Sequence, residues 1–263
     1  GSGFLSSNVF AARDNFRQGI IDQFTLIKLI QSQSMAGGAL TFLDGASIGY
    51  AGQSLGGITG GNLAAYAPEL KAAVLNVPGG GLVNILLSTV PQISAPLFAA
   101  LSAAGVCART PTGCEDNAAF RQFGIIAQTA LDPGDPLANS IAVLGPHHGV
   151  PPITPAKVLI QMAVPDLVVT NPTTIALGKA YGFDPTDNSA TSHFQTYNFA
   201  SGGNCHGFIL FPGTCTSTEL GNGPFSGFCA TFGAQQQAAR FIATGGTMVG
   251  PRNPMGFGAL GCN

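Results

Sequence analysis

A serine with glycines two positions away on either side, in Gly52-Gln53-Ser54-Leu55-Gly56-Gly57, is the stretch of this chain best suited to covalent chemistry. A serine hydroxyl is a weak nucleophile until a histidine takes its proton, and that histidine needs an acid to fix its tautomer and stabilise the imidazolium. Asp166 and then His206 follow the serine along the chain. The motif acquires a mechanism when a strand runs into the serine and a helix leaves it through a sharp turn. The turn strains the serine backbone and lifts its hydroxyl above the sheet, and Gly52 and Gly56 let strand and helix pass closely. The N–H of Leu55 then faces the place where an oxyanion would form, at a helix start whose dipole favours negative charge. Glycine supplies 37 of 263 residues, so the pattern alone is cheap, and the flanking elements must carry the argument.

The acid and the base each have rivals. Asp132 and Asp135, in Leu-Asp-Pro-Gly-Asp-Pro, look like turn chemistry, whereas Asp166 stands directly after an apolar run. His147 and His148 sit in a region that could line a pocket, and they join Gln53 as candidate substrate contacts. His193 opens a strand and reads as a structural histidine. His206 stands in a loop after the last strand, where a Cys205–Cys215 bridge would pin it within reach of Ser54.

The elements that must position these groups follow from periodicity. Residues 46–51 read as a short buried strand and residues 55–67 as the helix leaving the serine, closed by Pro68. Residues 71–77 form a second strand, completing a βαβ unit with parallel strands and a right-handed crossover. Residues 157–164 and 194–199 supply two more strands, with a helix from Asn171 to Ala180 between them. Before the serine lies one long amphipathic helix over residues 9–33, capped by Asn8, and the chain ends in a helix over residues 231–244. Residues 82–104 are apolar, but Pro91 and Pro96 make a spanning helix a poor reading, and two short helices fit better. With residues up to 150 they form an inserted cap (79–150) on an α/β core made of 1–78 and 151–263. The cap would lie over the C-terminal strand ends, where ligands bind in open α/β sheets, and would shape an apolar pocket.

Composition narrows the partners. Only 8% of residues are charged and the net charge is −2, which argues against nucleic acid and suits an apolar or uncharged ligand. Six cysteines show no C-x-x-C pair and no Cys/His cluster at zinc spacing, so disulfides in an oxidising compartment, rather than a metal, are the reading. Six cysteines allow fifteen pairings, and loop proximity favours Cys107–Cys114, Cys205–Cys215 and Cys229–Cys262.

These residues together resemble the α/β-hydrolase superfamily and, within it, the bacterial extracellular lipase and esterase group. The resemblance runs from Arg13-Asp14-Asn15-Phe16-Arg17-Gln18, through the Ser54 motif, to Ile160-Gln161-Met162-Ala163-Val164-Pro165-Asp166-Leu167-Val168-Val169 and the His206 loop. It implies hydrolysis of carboxylic esters, including lipids or a polyester, through an acyl-serine intermediate, without cofactor or metal, by a secreted or periplasmic protein. An acyltransferase of the same fold and a non-catalytic hydrolase-like binding module are the alternatives. Members of that group place about four strands before the nucleophile strand, and one helix stands there in this sequence. The chain is therefore expected to be the C-terminal portion of a longer, trimmed hydrolase. An N-terminal piece would then complete the sheet, cover its apolar edge and supply the second oxyanion donor.

Overall fold

The computed structural model describes residues 5–87, 91–107, 114, 117–144, 155–200, 203–212, 214–221, 225–256, 258 and 261–262. Four strands form one all-parallel sheet in the order in which they occur along the chain: β1 (Ile48–Gln53), β2 (Leu70–Asn76), β3 (Lys157–Val164) and β4 (Phe194–Asn198). Pairing sets Gln53 beside Asn76, Asn76 beside Gln161, and Val164 beside Asn198, so all four strands run out at one edge. Ser54 and Asp166 stand directly beyond two of those ends.

β2 and β3 are apolar almost throughout because both faces are covered, as parallel sheets require. Ala73, Leu75, Val158, Ile160 and Met162 face one layer, made by α1 (Val9–Ser34), α2 (Leu55–Tyr66) and α7 (Asn171–Ala180). Ala72, Val74 and Leu159 face the other, where α8 (Ser226–Ala243) brings Ala238 and Phe241. α1 begins where expected because Asn8 accepts hydrogen bonds from the N–H groups of Phe10 and Ala11. It buries Ala12, Phe16, Ile20 and Ile27, one face of a helix, and leaves Phe10 and Ile21 exposed. Arg13, Asp14 and Arg17 pair with one another on its surface.

Several boundaries differ from the sequence reading, most at β1, which runs to Gln53, and at α8. β1 starts at Ile48 rather than residue 46, because Asp44 captures the N–H of Ala46 with its side chain and that of Ser47 with its carbonyl. α8 starts at Ser226 rather than residue 231, and its buried face carries Ala234, Gln237 and Phe241, with Phe232 only partly covered. Gln237 belongs to a row of buried amides. Asn76 donates to Gln161, Gln161 to Gln237, and Gln237 to Gln195, while the Tyr197 hydroxyl also donates to Gln237. A fully buried polar row of this kind fixes the register of α8 on the sheet.

Between β2 and β3 lie α3 (Leu82–Leu86), α4 (Pro91–Ala103), α5 (Ala118–Leu131), a 3-10 turn at Asp132–Gly134 and α6 (Ile141–Leu144). Leu82, Val83, Leu86, Phe98 and Leu131 form a cluster that reaches Phe16 of α1 and Ile58 and Leu55 of α2. Asp135, fully buried, ties the later part of this insert back to its start by accepting the N–H groups of Gly81 and Leu82, together with that of Leu137 and the Gln128 amide. Disulfides join Cys107 to Cys114, Cys205 to Cys215 and Cys229 to Cys262, at Cα separations of 5.5, 5.7 and 5.3 Å. Three disulfides fit an oxidising environment. Among the described residues no helix is long and apolar enough to cross a membrane.

Candidate active site

The turn after β1 is strained where the motif requires it. Ser54 has φ 57° and ψ −118°, a conformation that costs a non-glycine residue about 1–3 kcal/mol. Its N–H donates to the Asn76 carbonyl at 2.9 Å, and its carbonyl accepts from Ile58 as α2 begins. The side chain does not cap that helix, so the hydroxyl is free for other work. A Cβ on Gly52 would stand 2.4 Å from the Gly56 carbonyl oxygen, so glycine is demanded there by close approach. Gly56 is different. A Cβ there would meet only the Tyr50 hydroxyl at 3.6 Å, and the tighter second glycine is Gly57, packed on Asn76 and Pro78.

Asp166 follows β3 across a cis Val164–Pro165 bond and is 4% exposed. One of its oxygens accepts the N–H groups of Val168 and Val169, which fixes the carboxylate plane. Asn171, the first residue of α7, braces the same corner by accepting from the Asp166 N–H and donating to the Ala163 carbonyl. His206 is 9% exposed, and its Nδ1 lies 2.8 and 3.0 Å from the two Asp166 oxygens. Its Nε2 lies 2.5 Å from Ser54 Oγ. With Nδ1–H donating to the carboxylate, the Nε2 lone pair is left for the serine hydroxyl, the tautomer a general base needs.

The His206 loop is held from several sides. The Cys205–Cys215 bridge closes it, Phe208 packs on Tyr197 and Phe199 at 5.0 and 5.2 Å, and Thr231 of α8 donates to the Phe208 carbonyl. Gln53 donates from its side-chain amide to the His206 carbonyl at 2.9 Å. Leu55 sits in the first turn of α2, whose opening N–H groups have no partner within the helix, and its side chain packs on the insert cluster.

The structure thus brings Ser54, Asp166, His206, Leu55 and Gln53 together. His147 and His148 lie outside the described residues. His193 belongs elsewhere: its Nδ1 bonds the Val158 carbonyl, its ring meets Phe183 and Phe241 edge-on, and burial pushes its pKa down. Two grooves have largely apolar walls, and the first of them adjoins the site at Gln53. One of about 370 Å³ is lined by Gly52, Gln53, Asn76, Ile209 and Leu210, and one of about 720 Å³ lies between α3 and α5 over Val83, Leu87, Phe120 and Ile125. Among the described residues no group of His, Cys, Asp and Glu could hold a metal ion. Sequence reasoning missed Asn171, whose Asn-Pro-Thr start reads only as a helix opening, and the anchoring role of Asp135. In comparisons with protein-family models, curated proteins and solved structures, nothing matched this chain.

Proposed function

We propose that this protein hydrolyses carboxylic esters through an acyl-serine intermediate. The observation that carries the reading is the continuous relay from Asp166 through His206 to a strained, partly exposed Ser54, with both contacts inside hydrogen-bond distance. Ser54 Oγ attacks the ester carbonyl as its proton passes to His206 Nε2, and the tetrahedral oxyanion meets the Leu55 N–H. Collapse expels the alcohol, which takes the proton from His206. Water then repeats the sequence on the acyl-serine and releases the acid. Asp166 accepts the Nδ1 proton's hydrogen bond and stabilises the imidazolium that forms. The scarcity of charge and the apolar groove beside Gln53 favour uncharged, acyl-bearing substrates, and three disulfides favour a secreted or periplasmic setting.

Among the described residues β1 is the outermost strand on its side of the sheet, with Gly49 and Ala51 exposed, which favours the further strand that the family resemblance implies. A separate N-terminal piece in the native mass spectrum of the source protein is the expected sign of it.

The deciding experiment is hydrolysis of p-nitrophenyl esters from acetate to palmitate by the wild type and by Ser54→Ala, with fluorophosphonate labelling alongside. Activity that disappears in the variant, with one label per wild-type chain, supports the reading. A folded wild type that is neither active nor labelled refutes it in favour of a non-catalytic module. Transfer of the acyl group to added alcohol in preference to water would recast the protein as an acyltransferase.

A further inference from the structure

Resting on that hydrolase reading, we infer that Gln53 is a positioning residue, which holds the general base against the nucleophile by clamping the His206 backbone to the nucleophile strand. The topology creates the need. Ser54 follows β1 at one edge of the sheet, whereas His206 follows β4 at the other, so the His206 loop must return across β2 and β3. Three strand spacings amount to roughly 14 Å. A loop that reaches so far holds a 2.5 Å contact only if its far end is fastened.

Most of the fastenings act elsewhere. Asp166 steadies the imidazole at Nδ1 but hangs from β3. The Cys205–Cys215 bridge and the contact of Asn204 with the His206 N–H lie within the loop itself. Phe208 and Thr231 tie the loop to β4 and α8. Among the described residues, the bond from Gln53 Nε2 to the His206 carbonyl is the one that joins the His206 backbone to β1. Gln53 is the residue immediately before Ser54, so its bond and the Ser54–His206 contact close a small ring across the site. Strand alternation explains why this residue can do it. Gln53 ends β1 and lines the same groove as Ala51 and Ala238 of α8, with Ile209 and Leu210 of the His206 loop as the opposite wall. The side chain is half-buried and its amide is directed at the loop.

The test uses the whole chain, p-nitrophenyl butyrate and fluorophosphonate labelling, on the wild type and on Gln53→Met, Gln53→His and Ser54→Ala. Methionine keeps the length of the side chain and removes the donor. Histidine restores an N–H at nearly the same reach. The expected result for Gln53→Met is a fall in kcat of about 10- to 100-fold with KM within about two-fold, since a misplacement near 1 Å has that effect on rate. Gln53→His is expected to recover most of the loss, which a merely structural glutamine would not predict. If Gln53→Met fails to fold by circular dichroism, Gln53→Glu replaces it, its carboxylate repelling the His206 carbonyl at neutral pH. A kcat within about two-fold of wild type in a folded donor-less variant, while Ser54→Ala is inactive, overturns the role of Gln53 and leaves the hydrolase reading standing. A KM that rises as much as kcat falls makes Gln53 a substrate contact and overturns the clamp. A wild type that is inert and unlabelled overturns both.

Discussion

Gly52 and Gly56 hold equivalent places in the serine motif, yet the structure assigns them opposite sensitivities, and this can be measured. An alanine Cβ at Gly52 would lie 2.4 and 2.5 Å from the carbonyl oxygen and carbon of Gly56 and 2.7 Å from a Tyr50 ring carbon. Comfortable carbon contacts begin near 3.5 Å, so the start of α2 must retreat by about 1 Å. The obstruction is backbone and cannot rotate away. Overpacking of that kind costs about 3 kcal/mol or slightly more, and a shift of about 1 Å at the nucleophile lowers the rate on the order of 100-fold. At Gly56 the new methyl would meet only the Tyr50 hydroxyl at 3.6 Å, an ordinary contact, in the first turn of a helix. There alanine restricts the unfolded chain and stabilises by a few tenths to about 1 kcal/mol. Urea unfolding followed by circular dichroism, disulfides intact, gives the stability of each variant, and fluorophosphonate labelling gives the reactivity of Ser54. Gly52→Ala is expected to lose both, and Gly56→Ala to keep both. Equal midpoints for wild type and Gly52→Ala, or a larger loss at Gly56, would refute the close-approach argument.

Asp135→Asn leaves three backbone N–H groups and Gln128 sharing one acceptor where a carboxylate now serves them, with an amide NH₂ turned toward donors; unfolding should show a loss of about 2–3 kcal/mol. His193 has its pKa lowered by burial, so the unfolded chain binds the proton more readily and this group's contribution to stability is lost as pH falls below its ordinary value of about 6.5. His193→Phe, which keeps the ring among Phe183 and Phe241, should flatten the pH dependence of the urea midpoint as pH falls below about 6.5; an unchanged slope would show that other groups set it.

What could be read from the sequence was whatever repeats along the chain. Lys157–Val164 is apolar enough to declare itself a strand covered on both faces, and its last residue places Asp166 at the edge of the sheet without further information. The same holds for Ser54 after β1, because a parallel strand followed by a helix must deliver its next residue to that edge. What could not be read was whatever depends on which elements meet. Phe232 is large and apolar but only partly covered, while the helix turns Gln237 inward to meet Gln161, Gln195 and Tyr197. No periodicity distinguishes a buried glutamine that completes an amide row from one on a solvated face. Asp135 is a turn residue, as its Asp-Pro surroundings imply, but its energetic importance comes from Gly81 and Leu82, more than fifty positions away. Gln53 is the same case at the site. Its neighbour Ser54 is marked by glycines, whereas the partner of Gln53 is a carbonyl, a group that every residue carries and no sequence pattern can flag. Local strain and strand ends therefore announce Ser54 and Asp166, while the spacing between Ser54 and His206 is set by contacts visible only after folding. Substitutions at Gln53, Asn171 and Asp135 should for that reason change the rate or the stability of this protein while leaving its motif intact.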